Sequence, residues 1–210
     1  MNELGVAMGQ GWKHGGPNAP LDALELALRN AHAMGARPGS LILGLPLYGR
    51  LYVCDGDGEA GSVSTHPLCT CAEKNFFKKT LDIMAACPSA NGSGCTTGYD
   101  VTSATPWWDC SGGTAGCIPG LPANQSGLHQ QGWYENAASI KAKVGLAASY
   151  SSLVAGVGGW TAHGADGSTA SGSEQVDALI WDVFRDYVQG EQGSRATAAA
   201  PHWSAHAPNN

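Results

Sequence analysis

With 210 residues, the chain is long enough to bury a core as one domain, or as one domain and a small insertion. A net charge of −6 and the absence of any Lys/Arg cluster exclude nucleic acid and anionic membrane surfaces as partners, and no apolar run approaches the roughly 20 residues of a membrane helix. Charged residues make up only 13% and glycines number 30, a composition that favours loops and close backbone approaches over long solvated helices.

The first residues, Met1-Asn2-Glu3-Leu4-Gly5, show no basic segment followed by an apolar one, so no signal peptide is expected in this sequence. Residues 4–8 read as the end of a strand, followed by a glycine-rich loop with Gln10, Trp12, Lys13 and His14. A helix is expected from Pro20 to Met34, with Asn18 as its cap, Leu21, Leu24 and Leu28 at helical spacing, and Gly35 as its stop. Leu41-Ile42-Leu43-Gly44-Leu45-Pro46 is too short for a buried helix and predicts a parallel strand covered on both faces. At its carboxyl end, where α/β folds place ligands, stand Tyr48 and Arg50: either a strand cap or part of a site.

From Leu51 to Gly132 the pattern breaks into Gly, Ser, Pro and Cys, with a helical piece expected at about 72–86 carrying Phe76, Phe77, Leu81 and Met84. A connection that long reads as an insertion domain or lid. All seven cysteines lie in it (Cys54, Cys69, Cys71, Cys87, Cys95, Cys110 and Cys117), and such crowding predicts disulfides and an oxidising compartment. The sequons Asn91-Gly92-Ser93 and Asn124-Gln125-Ser126 agree, so the expected location is secreted or lysosomal, with a leader on a longer chain. Cys69-Thr70-Cys71 beside His66 does not have zinc-knuckle spacing, and no metal or cofactor is expected. Trp107, Trp108 and Asp109 could form an aromatic platform, but core of the insertion is the better reading.

Beyond the insertion, Ile140, Val144 and Ala147 predict a short helix with Lys141 and Lys143 facing out. A second apolar run, 153–160, ends in Trp160, with His163 just past it as a rim residue. Ser171-Gly172-Ser173-Glu174 is a capping box opening a last helix, in which Val176, Leu179, Ile180, Val183, Phe184 and Tyr187 form the apolar stripe and Asp177, Asp182 and Asp186 the solvated face. The tail after Gly190 is expected to be disordered.

Three segments together resemble glycoside hydrolase family 18, the chitinases and chitobiases. Leu43-Gly44-Leu45-Pro46-Leu47-Tyr48-Gly49-Arg50 looks like that family's seventh-strand motif, and Asn18-Ala19-Pro20-Leu21 is similar to the segment preceding it. Gln131-Gly132-Trp133-Tyr134-Glu135-Asn136 with Gly156-Val157-Gly158-Gly159-Trp160 resembles the approach to the eighth strand and its terminal Trp. Tyr52-Val53-Cys54, the pair Cys69 and Cys71, and Trp133-Tyr134 look most like the di-N-acetylchitobiase branch. The resemblance implies the last two or three units of a (β/α)8 barrel: 1–50 as a barrel segment, 51–132 as the cysteine-rich insertion, 133–189 as the barrel's close, and 190–210 as tail.

It also implies action on chitin-derived N-acetylglucosamine oligosaccharides by a substrate-assisted retaining mechanism. Trp160 would then be the sugar floor, Tyr48 and Arg50 polar contacts, and Trp133 and Tyr134 either cleft edge or packing. The family's acid motif, Asp-x-x-Asp-x-Asp-x-Glu, does not occur in the sequence, nor does a recognisable Met-x-Tyr-Asp; Met8-Gly9-Gln10-Gly11-Trp12 is at most a diverged remnant of the latter. The expectation is therefore a carboxyl-terminal half without its acid, inactive alone and completed by an amino-terminal half. The alternative is a non-catalytic N-acetylglucosamine-binding protein.

Overall fold

Leu41–Pro46 (β1) and Val154–Trp160 (β7) pair in parallel, while the chain between them builds a second, antiparallel sheet. The structure is a computed structural model and describes residues 16–53, 78–82, 95–110, 130–160 and 179–190. The expectations for a strand at 4–8, the remnant at 8–12, the capping box at 171–174, Val176, Asp177 and the tail after Gly190 fall outside those residues. So do His66, His163 and the cysteines Cys54, Cys69, Cys71, Cys87 and Cys117.

Helix α1 spans Leu21–Ala33. Its amino end is not capped by Asn18 as the sequence suggests. Pro20 occupies the N-cap position without a side-chain bond, and the Leu21 N–H donates to the Ser103 carbonyl at 2.9 Å, so a distant turn supplies the acceptor. At the other end Gly35 takes φ +82°, and the N–H groups of Gly35 and Ala36 donate to the carbonyls of His32 and Ala31. This paired closure requires a residue in the left-handed region, which is why glycine ends the helix.

Helix α2, Ala137–Ser149, opens with a reciprocal cap: Asn136 accepts from the Ser139 N–H at 2.9 Å, and the Ser139 hydroxyl accepts from the Asn136 N–H at 2.8 Å. Together with α1 and a third helical run at 179–190, α2 covers one face of the β1–β7 pair. Leu28, Leu43, Leu45, Leu47, Ile140, Val144, Val154 and Ile180 form the buried centre. Leu43, Leu45 and Leu47 alternate toward the helices, and Gly159 lets Leu47 close down, since a Cβ there would meet its Cδ1 at 2.5 Å. On the third helix the expected stripe holds in part. Ile180 is buried, with Val183, Phe184 and Tyr187 packed beside it, but Leu179 is exposed. Asp182 pairs with Arg185 on the outer side.

The opposite face of the pair departs from expectation. Ile42 is 72% exposed, and a Cβ added at Gly44 or Gly156 would meet nothing within 4 Å. The strand is parallel as its composition predicts, but among the described residues only one of its faces is covered. Composition reports what a strand is suited to face, not whether that neighbour is present.

The antiparallel sheet runs in the order β3-β2-β6-β5-β4, with β2 at Tyr48–Val53, β3 at Lys78–Asp82, β4 at Cys95–Asp100, β5 at Thr105–Cys110 and β6 at Gln130–Trp133. β3 replaces part of the helix expected at 72–86: its register against Tyr48–Tyr52 decides the conformation, and pairing overrides the apolar spacing. The β4–β5 hairpin closes over 101–104, where the Asp100 carboxylate accepts from the N–H groups of Thr102 and Ser103.

Lys143 is the largest correction. Instead of facing out it is fully buried, with its ammonium ion-paired to the buried Glu135 carboxylate. The Ser139 hydroxyl donates to the other Glu135 oxygen at 2.6 Å, and the Lys143 Nζ reaches Thr105 Oγ1 at 3.4 Å. Helical spacing alone cannot distinguish a solvated lysine from one that enters a second sheet. Burial pushes the Glu135 carboxyl above its ordinary value, against the opposing effect of the Lys143 ammonium and the Ser139 hydroxyl.

Truncating Glu135 to Ala should strand the buried ammonium and cost about 3–5 kcal/mol in urea unfolding, while the double change E135Q/K143M should cost clearly less than the sum of the singles. Because the native carboxyl titrates above its unfolded value, the folded state holds the extra proton between the two. The wild-type contribution from this site should therefore fall as pH rises through that window, and E135Q should remove this slope.

Candidate functional site

The carboxyl ends of β1 and β7 coincide. Pro46 lies opposite Trp160 in the register, and the Leu47 N–H donates to the Trp160 carbonyl at 2.6 Å. The chain then turns directly into β2, so Tyr48 and Arg50 begin the antiparallel sheet at the same end where Trp160 finishes the parallel pair. Trp160 is 62% exposed. In the register, the residues sharing its face are Pro46, Gly44, Gly158, Ile42 and Gly156, so the approach to the ring along the strands is nearly bare backbone.

Tyr48 and Arg50 are both half-buried, and the guanidinium carbon sits 4.9 Å from the centre of the Tyr48 ring. A cation held over a ring face at this distance contributes about 0.5–1 kcal/mol and fixes both groups in one orientation. The strand's alternation puts Tyr48, Arg50 and Tyr52 on one side of β2. The register extends this side across the sheet: Arg50 lies opposite Trp133, which lies opposite Trp107, and Tyr52 lies opposite Gln131, which lies opposite Asp109.

Trp133 is only 1% exposed, and its indole N–H donates to Gln131 Oε1 at 2.8 Å, while Gln131 Nε2 donates to Asp109 Oδ2 at 3.0 Å. Of the two possibilities the sequence leaves for this residue, the geometry is that of packing within the sheet, with the ring backing the row that ends in Arg50. Tyr134 is half-buried, and burial pushes its phenol upward. Trp108 is fully buried over Gly132, in keeping with a core role, whereas Trp107 is half-buried and lies over Gly98.

Gln131 and Asp109 support Trp133, a role that the motifs in which the sequence shows them did not reveal. The signal available was Trp133 following Gln131 at strand spacing, which puts the two side chains on one face. Nothing in the sequence marked Asp109 as their third partner, since the register that joins them comes from residues some twenty positions apart. Gly49 is the second missed position: a Cβ there would meet the Trp133 carbonyl oxygen at 2.7 Å and Tyr134 Cβ at 2.9 Å, so glycine alone allows β2 to lie this close.

Among the described residues, no group of three His, Cys, Asp or Glu side chains could hold a metal, and no helix is long and apolar enough to cross a membrane.

No protein-family model and no curated protein sequence matches the chain. Solved structures do. A chitinase of Rhizomucor miehei aligns with a TM-score of 0.55 at 19% identity, over 84% of this chain and 49% of its own. A chitinase of Chromobacterium violaceum aligns at 0.51 and 17%, over 84% of this chain and 41% of its own. Human YKL-39, described as a pseudo-chitinase with retained chitooligosaccharide binding properties, aligns at 0.52 and 14%, over 79% and 39%. At these identities the likeness is one of fold: a mixed α/β arrangement of the chitinase type, of which this chain spans about half or less.

Gly49→Ala should push β2 off the Trp133–Tyr134 backbone, destabilising the protein by about 1–3 kcal/mol and disturbing Tyr48 and Arg50 with it. Thermal unfolding and the amide chemical shifts of 48–52 would read this. Unchanged shifts would show that the close approach is not what positions the pair.

Proposed function

We propose that this chain is the carboxyl-terminal part of a family-18-type glycoside hydrolase acting on chitin-derived N-acetylglucosamine oligosaccharides. The observation that carries the reading is the register of Pro46 against Trp160, with an exposed indole at the carboxyl ends of two parallel strands, the end from which the chain enters the strand of Tyr48 and Arg50. The fold likeness to chitinases supports it, as do the motifs around Tyr48 and Trp160; Tyr52-Val53-Cys54, the pair Cys69 and Cys71, and Trp133-Tyr134 look more like the di-N-acetylchitobiase branch.

In this reading β1 and β7 are the last strands of a (β/α)8 barrel, and the uncovered face over Gly44, Gly156 and Gly158 is where the remaining strands and the sugar lie. The Trp160 ring stacks beneath the acetamido sugar at the reacting position. An indole presents a flat, rigid apolar face to the sugar's C–H groups, so the sugar is oriented at little entropic cost. Tyr48 supplies a phenolic hydrogen bond to the acetamide, Arg50 a fork of donors to a sugar hydroxyl or a carboxylate, and Tyr134 an edge; Trp133 backs Arg50.

The acetamido oxygen then attacks its own anomeric carbon while a carboxylic acid protonates the leaving oxygen, the substrate-assisted variant of retaining hydrolysis. That acid would come from polypeptide beyond these residues, since no Asp-x-x-Asp-x-Asp-x-Glu run occurs among them. The cysteine-rich stretch fits a secreted or lysosomal enzyme.

A second reading is favoured by that same missing motif and by the likeness to YKL-39: the chain binds N-acetylglucosamine oligosaccharides without cleaving them.

Calorimetric titration with chitobiose and chitotriose should show binding that Trp160→Ala weakens by at least about tenfold, the loss of one stacked aromatic. Release of a chromophore from a chitobioside analogue by this chain should stay at background. Turnover would refute the need for an outside acid. An absence of binding by a cooperatively folded chain would remove the carbohydrate reading.

A further inference from the structure

The hairpin β4–β5 carries a cysteine at each end of one register pair: Cys95 is the Cα partner of Cys110, the position farthest from the turn at 101–104. Directly opposed residues in an antiparallel ladder have Cα atoms about 4.5 or 5.5 Å apart, depending on the type of pair. Both values fall within the roughly 4.4–6.8 Å that a disulfide spans. From this placement we infer that Cys95 and Cys110 form a cross-strand disulfide that closes the open end of the hairpin.

The bond forms as each thiol loses its proton and the two sulfurs together give up two electrons. An external disulfide of the oxidised-glutathione or oxidised-dithiol class accepts them, its own S–S bond breaking to two thiols. The pairing resolves one link in a cysteine set whose connectivity spacing alone leaves open.

The location gives the bond a task. At its turn the hairpin delivers the Ser103 carbonyl to the first N–H of α1, and along β5 it holds Asp109 against Gln131 and Thr105 against Lys143. β4 is the edge strand of the five-stranded sheet and is held on one side, by β5, so a staple at the open end of the hairpin keeps that edge in register and supports the turn that carries Ser103. The bond closes a loop of about 15 residues, the size at which constraint of the unfolded chain is already substantial. It does not depend on the carbohydrate reading, so the two stand or fall separately.

The test is disulfide mapping of the full chain prepared under oxidising conditions, alkylated with iodoacetamide and digested without reductant. Trypsin cannot separate the two cysteines, because no Lys or Arg lies between Lys79 and Lys141. Chymotrypsin cuts at Tyr99, Trp107 and Trp108 and leaves Cys95 and Cys110 on different peptides. The expected result is a linked pair that collapses on reduction, with tandem fragmentation placing the bridge at Cys95 and Cys110. Alkylation of either cysteine, or a bridge from either to Cys54, Cys87 or any other cysteine, would overturn the inference.

In thermal unfolding, C95A, C110A and the double variant should each lower Tm by the same amount, roughly 5–10 °C. Additive losses or an unchanged Tm would count against the bond.

Discussion

The buried ion pair of Lys143 with Glu135 is the contact on which the arrangement of this chain depends. Lys143 leaves α2, a helix packed on the parallel pair, and ends between Glu135 at the exit of β6 and Thr105 at the start of β5. Two sheets of different kinds are thereby locked to one helix. A charge removed from water costs several kcal/mol unless it is paired and hydrogen-bonded, and here Lys143 and Glu135 pair with each other while Thr105 and Ser139 add one bond to each. The net gain in stability from such a pair is modest, but a shift of the antiparallel sheet by one residue would leave a buried charge without its partner.

Much of the parallel part was legible in the sequence. Leucine spacing and Gly35 locate α1, and the two apolar runs locate β1 and β7 and their parallel pairing, because continuous branched residues between loop signals admit few other readings. The antiparallel sheet was not legible. Its strands contain Gly98, Pro106 and Gly132, residues that weaken strand propensity, and the two glycines are there for a reason visible only in three dimensions. Gly98 and Gly132 make room for the rings of Trp107 and Trp108, across a pairing that joins distant segments. Local pattern carries no information about such pairs.

Lys143 and Asn18 failed for a related reason. Lys143 lies three residues after Ile140 and four before Ala147, so helical spacing itself puts it on the flank of the buried face, and its charge rather than its position suggested solvent. Asn18 has the side chain of a cap, but Ser103 from the hairpin supplies the acceptor to Leu21 and leaves Pro20 at the cap position. In both cases a tertiary partner displaced a local one. The candidate site was more legible than its surroundings because Tyr48, Arg50 and Trp160 sit at the ends of the two strands whose signal is strongest. Their supports Gln131, Asp109 and Gly49 belong to the part whose signal is weakest.

The two faces of β1 and β7 show how the site and the fold divide one stretch of sequence. Toward the helices, Leu47 presses on Gly159 so closely that a single added carbon would clash. On the other face, which also carries the mostly exposed Trp160, Gly44 and Gly156 leave open space, and a Cβ at Gly158 would meet Ile42 Cγ2 only at 3.9 Å. A glycine kept for close packing and a glycine kept for vacancy look identical in sequence, and only the alternation of the strands tells them apart. Among the described residues the Trp160 face of the pair is left unfilled, whereas the helix face is packed to the point where one carbon decides the fit.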